Sequence, residues 1–273
     1  MPRLHPFDAD TAVIDAGAGR YAATVSDRWS LVAGHANGGY GLAICLQALR
    51  AQAAYPDPIA VSATYLRRLE PGPAEVLVEP IRTGRRLSVA EGRLMQDGKE
   101  KLRVVANFAD LEAASGRTDL RNCAPALPPP EECVELASHV DMPALTLAER
   151  LEYRYPDLPG WRAGTPGARL EERFWMRLAA DPQAGPRDAD TLALAVLVDM
   201  ASPPVLDLGE FGSTTIELTV HVRGRPAPGW LACRASTRHI IDGYHDEDFE
   251  IWDSTGHLVA QSRQLALLPR ARG

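Results

Sequence analysis

The chain is poor in cysteine and has no cysteine pattern. Cys45, Cys123, Cys133 and Cys233 are scattered through 273 residues, none forms a CxxC pair, and no histidine stands at metal-ligand spacing from them. A zinc module and a disulfide framework are therefore not indicated, and no metal is expected. Cys45 lies in an apolar run and reads as core filler. A basic excess is also missing: 29 Lys and Arg stand against 36 Asp and Glu, a formal net charge of −7, which argues against nucleic acid as a partner. No apolar run is long enough for a membrane span, which needs about 18 residues or more. The first ten residues, MPRLHPFDAD, lack the apolar core of a signal peptide, so a cytoplasmic location is the expectation. A GxSxG string is absent too, and with it the usual frame for a serine–histidine triad. What remains is the composition of a soluble globular protein, 45% hydrophobic and 24% charged, long enough for one large domain or two ordinary ones.

Prolines 125, 128, 129, 130 and 143 interrupt the middle of the chain, and proline at that density reads as a linker. The same order of elements lies on each side. HANGGYGLAICLQALRAQAA is a helix opened by Asn and Gly, followed by the strands IAVSATYLRRL and AEVLVEPIRTG and a meander around Asp97-Gly98. After the linker, DTLALAVLVDMA is the helix, and TIELTVHVRG, WLACRASTRHII, FEIWD and HLVAQSRQLALL are strands. The Pro-Gly turns that follow the first strand of each half are 157 residues apart, and the hairpin glycines Gly98 and Gly256 are 158 apart. Two landmarks that agree within one residue indicate a duplication. A sheet wrapped around one apolar helix buries both, so each half is expected to fold that way.

One residue breaks the apolar pattern. Between Leu192 and Leu206 the chain reads LALAVLVDMASPPVL, with Asp199 as its sole ionisable side chain. A carboxylate in such surroundings is costly unless it is paired, hydrogen-bonded or protonated. Its pKa would be raised, which suits a general base; the plainer alternative is an aspartate that reaches solvent near a helix end. The sister stretch GLAICLQAL has no acid, so the fold unit does not require one.

The repeated helix and sheet, with the strings NGGYGLAICLQAL, SATYLRRLEPGPAEVLVEPIRTGRRLS, LMQDGK, LVDMASPPVL, TTIELTVHVRG and LVAQSRQ, resembles the double hotdog acyl-CoA thioesterases, in particular the thioesterase II (TesB-like) and peroxisomal group, over residues 8–112 and 150–268. The resemblance implies an α+β double hotdog: an N-terminal unit 1–113, a linker 114–149, and a C-terminal unit 150–273 that carries the acid. It implies hydrolysis of an acyl-CoA or acyl-carrier thioester in fatty-acid metabolism, with no cofactor and no covalent intermediate. In that family an aspartate, a threonine or serine, and a glutamine hold the attacking water. By motif these fall on Asp199, followed by Pro204-Val205, on Thr215 before Ile216, and on Gln264 at the end of LVAQSRQ.

Side-chain chemistry suits the trio, since a carboxylate can accept a proton from water while a hydroxyl and an amide orient it. Strand alternation puts Gln264 on the buried face with Ala260, Ser262 and Ala266. It puts Thr215 in phase with Glu217 and Thr219, on the polar side, and leaves Thr214 as the alternative unless a bulge re-aims the strand. His35, Asn37, Gly38, Gly39 and Tyr40 are expected to form the other wall, with N–H groups at the helix start facing a developing oxyanion; the alternative is a plain helix cap. Two other functions stay open here. A hotdog dehydratase or hydratase would need His221 or His239 opposite Asp199, and a non-catalytic acyl- or polyketide-binding protein would need no trio. A homodimer or higher homo-oligomer remains open as well, because sheet edges can pair.

Overall fold

The computed structural model describes residues 3–139, 145–165, 167, 170–209 and 212–269. Four helices and fourteen strands follow in chain order. The N-terminal unit has α1 (Pro6–Asp10), β1 (Val13–Gly17), β2 (Arg20–Val25), α2 (Gly38–Gln52), β3 (Asp57–Tyr65), β4 (Gly72–Thr83), β5 (Ser88–Gln96) and β6 (Lys99–Ala109). The C-terminal unit has β7 (Val134–Glu135), β8 (Leu151–Tyr155), α3 (Gly160–Ala163), β9 (Glu171–Leu178), α4 (Thr191–Leu197), β10 (Thr214–Val222), β11 (Leu231–Ser236), β12 (Ile240–Ile241), β13 (Tyr244–Trp252) and β14 (Leu258–Leu267).

Among the described residues all fourteen strands belong to one sheet; thirteen follow the order β1-β2-β4-β5-β6-β3-β10-β14-β13-β11-β9-β8-β7, and β12 pairs with β13 off that path. Apart from β7, an extra strand at the C-terminal edge, the order is symmetric about the antiparallel β3–β10 pair, in which Ala63 faces Leu218 and Val61 faces Val220. β3 and β10 begin 157 residues apart, as the sequence repeat requires. Each unit wraps its half of the sheet around an apolar helix: Leu42, Ile44, Cys45, Leu46 and Leu49 of α2, and Leu192, Leu194, Val196 and Leu197 of α4, are buried. Joining the halves through β3 and β10 removes two exposed sheet edges.

Two features differ from the sequence reading. Residues 114–149 are not linker throughout, because β7 pairs with β8 and Thr146 donates its hydroxyl to Asp27 O and accepts from Ser30 N–H. The strand-forming Val134 and the two hydrogen bonds of the Thr146 hydroxyl to the Asp27–Ser30 turn outweigh the proline content there. The second helix is also shorter than DTLALAVLVDMA. Asp190 caps its start by accepting from Ala193 N–H, but the helix ends at Leu197. Pro203 and Pro204 cannot continue it, and the residue before a proline disfavours helical geometry; a 3-10 turn over Pro204–Leu208 follows.

Candidate active site

Because α4 stops early, Asp199 lies in the turn just beyond it, where its N–H reaches Val196 O (3.0 Å). The turn delivers the carboxylate to the N-terminus of α2 from the other unit. There the backbone N–H of Gly39 donates to it. Asn37 caps α2 by accepting from Tyr40 N–H (3.0 Å), and its Nδ2 donates to Asp199 O (3.3 Å). The two glycines are needed for this approach. A Cβ on Gly38 would come within 2.8 Å of Tyr65 Cε1, and one on Gly39 within 3.0 Å of Asp199 Cβ. Burial pushes the Asp199 carboxyl up to about 7, and the Gly39 hydrogen bond only partly offsets this.

Thr215 and Gln264 meet on adjacent strands, with the threonine hydroxyl donating to Gln264 Oε1 (2.9 Å). The phase problem at Thr215 is resolved by a bulge. Thr215 pairs with Ala266 and Glu217 pairs with Leu265, so Ile216 is an extra residue in β10. Thr215 thus shares the inner face with Leu218, while Thr214 is exposed. β3 carries the same bulge between Pro58 and Ala60, 157 residues earlier. The bulge therefore belongs to the repeat, and only the second copy furnishes it with a hydroxyl. Gln264 is buried, as the alternation required, and Gln261 turns to Glu250 on the other face.

Not every expected residue faces this site. The Tyr40 side chain points into the N-terminal core, stacks on Trp29 at 5.3 Å, donates to Asp10 O and accepts from Ser26 N–H. Its place four residues before Ile44 on an all-round apolar helix gave it a core partner, so only its backbone belongs near Asp199. His35 is half-buried, with Nδ1 lacking a partner among the described residues. His221 and His239 are exposed, and the buried His245 meets Ser213 Oγ (2.7 Å) instead of Asp199.

Two residues were missed. Tyr65, at the end of β3, packs over Gly38, and its hydroxyl is buried without a partner among the described residues; burial, then the nearby Asp199 charge, raises its pKa. Glu247 lies on β13 opposite Gln264. Burial, then the Asp199 charge, pushes it up to about 8, while the Gln264 amide holds it down in part. The alternation HxExF over His245–Phe249 carried that second signal, a charged residue in phase with a buried aromatic. Among the described residues no group of His, Cys, Asp and Glu could hold a metal ion, and no helix is long and apolar enough to cross a membrane.

The model of the acyl-CoA thioesterase N-terminal domain matches residues 25–109, and that of the C-terminal domain matches residues 130–268. The chain belongs to the acyl-CoA thioesterase family. It is a thioester hydrolase with the double hotdog fold. A Thermobifida fusca structure assigned as a thioesterase II is 30% identical, with a TM-score of 0.87 over 97% of this chain and 98% of its own. A hot dog fold protein of unknown function from Alicyclobacillus acidocaldarius is similar in fold, with a TM-score of 0.83, 23% identity, and 99% and 100% coverage. An uncharacterised Mycobacterium tuberculosis protein is 28% identical to the thioesterase over 97% of this chain and 96% of its own.

Proposed function

We propose that this thioesterase cleaves acyl-CoA, or a related acyl thioester, to the free acid and the thiol through a water held by Asp199, Thr215 and Gln264. The observation that carries the reading is the half-buried Asp199 carboxyl, raised to about 7 by desolvation and close enough to raise Glu247, the strand neighbour of Gln264, together with the Thr215–Gln264 hydrogen bond. Near neutral pH such a group is both ionised often enough and basic enough to take a proton from water. The Thr215 hydroxyl spends its hydrogen on Gln264 Oε1, so its lone pairs are left to accept from the water and aim it. Of the first-turn N–H groups of α2, Tyr40's goes to Asn37 and Gly39's to Asp199. Stabilising the thioester oxyanion therefore falls to Gly38 N–H and the positive end of the helix. Water adds to the carbonyl carbon, Asp199 takes its proton, and the tetrahedral intermediate expels the thiolate, which is then protonated.

Hydrolysis is favoured over dehydration because, among the described residues, neither His221 nor His239, the histidines that a dehydratase would set against the acid, is turned to it: both are exposed, and His245 is turned to Ser213. The test is a panel of acyl-CoA thioesters followed by free-thiol detection, with Asp199→Asn alongside the parent enzyme. The variant is expected to lower kcat by roughly 10²–10⁴-fold on any substrate that is cleaved, the range for loss of a general base, with KM little changed. Unaltered turnover in folded Asp199→Asn, or a chain that cleaves no thioester in the panel, would remove this reading.

A further inference from the structure

Glu247 is a buried carboxyl with no Lys or Arg partner among the described residues, and its Oε2 makes no hydrogen bond. Burying such a group costs free energy that the fold itself does not require to be spent. The internal repeat shows this directly. Pairing runs Leu218–Gln264–Glu247 across β10, β14 and β13, and Val61–Ala106–Ala90 across β3, β6 and β5. Val61 and Leu218 are 157 residues apart, so Glu247 occupies the place of Ala90 and Gln264 that of Ala106. Both alanines are buried, and the first unit builds the same sheet with apolar groups at both positions. Glutamine and glutamate enter together in the second unit, where Asp199 is. The group that answers Glu247 is the Gln264 amide, which stands directly opposite it across the β13–β14 ladder and holds its pKa down in part.

An amide has two ends, and which end meets Thr215 decides what the threonine can do. The carbonyl end faces Thr215 and accepts the hydroxyl hydrogen at 2.9 Å, which leaves the N–H₂ end to Glu247 across the ladder. With the amide turned over, N–H₂ would face Thr215, the hydroxyl would accept from it, and a lone pair meant for the water would be lost.

We propose that Glu247 is a positioning residue of the hydrolytic site, holding the Gln264 amide in the one orientation that leaves the Thr215 lone pairs free for the attacking water. The inference rests on the hydrolytic reading of Asp199, Thr215 and Gln264. Glu247 touches no substrate; it acts through Gln264.

The experiment compares Glu247→Gln, Glu247→Leu and Glu247→Ala, the last a copy of the sister position, each alone and in a Gln264→Ala background, with thiol release and Tm as readouts. Glu247→Gln still offers an acceptor oxygen to the Gln264 amide and should keep kcat within about threefold. Glu247→Leu and Glu247→Ala remove it and should lower kcat by about 10–100-fold at nearly constant KM, the scale of a misplaced catalytic group. In the Gln264→Ala background neither should lower kcat further, since the only group Glu247 orients is gone. The inference is overturned if Glu247→Leu and Glu247→Ala keep full kcat, if the loss is the same without Gln264, or if Glu247→Gln is as impaired as Glu247→Leu. A parent enzyme that cleaves no thioester, or an active Asp199→Asn, would instead overturn the hydrolytic reading and is distinguishable from all three results.

Discussion

At the scale of single residues, three carboxyls of the C-terminal unit, the buried Glu172 and Glu247 and the half-buried Asp199, hold their protons too tightly. Asp199 is raised to about 7, and Glu172 and Glu247 each to about 8, with burial as the largest cause in every case. Two consequences have opposite signs. The proposed hydrolysis needs Asp199 ionised, so kcat/KM is expected to climb with pH and level off, with its midpoint near 7; a profile flat from pH 5.5 to 8.5 would count against Asp199 as the base. Stability should run the other way. Each acid binds its proton more tightly folded than unfolded, so the folded chain carries more protons from about pH 4 upward, and stability falls as pH rises through the folded values. Glu172 on β9 is the group to test, because it accepts from the Tyr155 hydroxyl at 3.1 Å, is raised further by Asp207, and itself raises Glu247. Glu172→Gln should raise Tm at pH 8.5 and change it little at pH 5.5, where the parent carboxyl is already neutral. Thermal melts at the two pH values decide it, and an equal shift at both would indicate a packing change instead.

At the scale of elements, the site depends on two irregularities, the early end of α4 and the bulge in β10. The bulge gives a sharp prediction. Thr215→Val removes the hydroxyl from the inner face and should lower kcat by roughly 10–100-fold, the effect of losing a water-orienting group, while Thr214→Val on the exposed side should leave it unchanged. Thr215→Ser should keep most of the activity, and equal losses at 214 and 215 would contradict the assignment of faces. These irregularities mark the limit of what the sequence could disclose. The repeat, the long strands and Gln264's face were legible because alternation and turn spacing are local. The position of Thr215 was not, because strict alternation placed it outside; a bulge is set by pairing with β14, a partner about 50 residues away. The end of α4 was half legible: Pro203-Pro204 announced a break, but apolar periodicity continued through Met200 and hid where it would fall. Tyr40 was misread for a related reason. Its neighbours Asn37 to Gly39 do line Asp199, but the helix turn carries Tyr40's ring to the opposite side, against Trp29. Glu247 required knowledge of the register, since only pairing reveals that it stands opposite Gln264.

At the scale of the molecule, neither unit owns the site. The C-terminal unit supplies Asp199, Thr215, Gln264 and Glu247, and the N-terminal unit supplies Asn37, the Gly38–Gly39 helix start and Tyr65. On the proposed reading, catalysis depends on how the two are fixed across the β3–β10 seam. Asp57, at the start of β3, is the main polar clasp there. Its carboxylate accepts from the Thr191 hydroxyl at 2.8 Å and from Arg225 at 3.1 Å, both in the C-terminal unit, and from Leu111 N–H at 2.9 Å in its own. Asp57 is buried but Arg225 is 41% exposed, so the guanidinium regains water when its partner is lost, whereas the Thr191 hydroxyl has less recourse. Asp57→Ala is accordingly expected to cost roughly 2–3 kcal/mol, below the full penalty for stranding a wholly buried charge. For a chain of this size that corresponds to a fall in Tm of roughly 5–10 °C. Asp57→Asn, which keeps an acceptor for Thr191, should recover part of it, and Arg225→Ala should cost less than Asp57→Ala. Because Asp57 is at the end of β3 remote from Tyr65, kcat at 25 °C should be unchanged in all three while they remain folded. Calorimetry and thiol-release assays on the same preparations test both halves of the claim: an unshifted Tm would show that the seam is held by strand pairing and apolar burial alone, and a lost kcat would show that the clasp reaches the site.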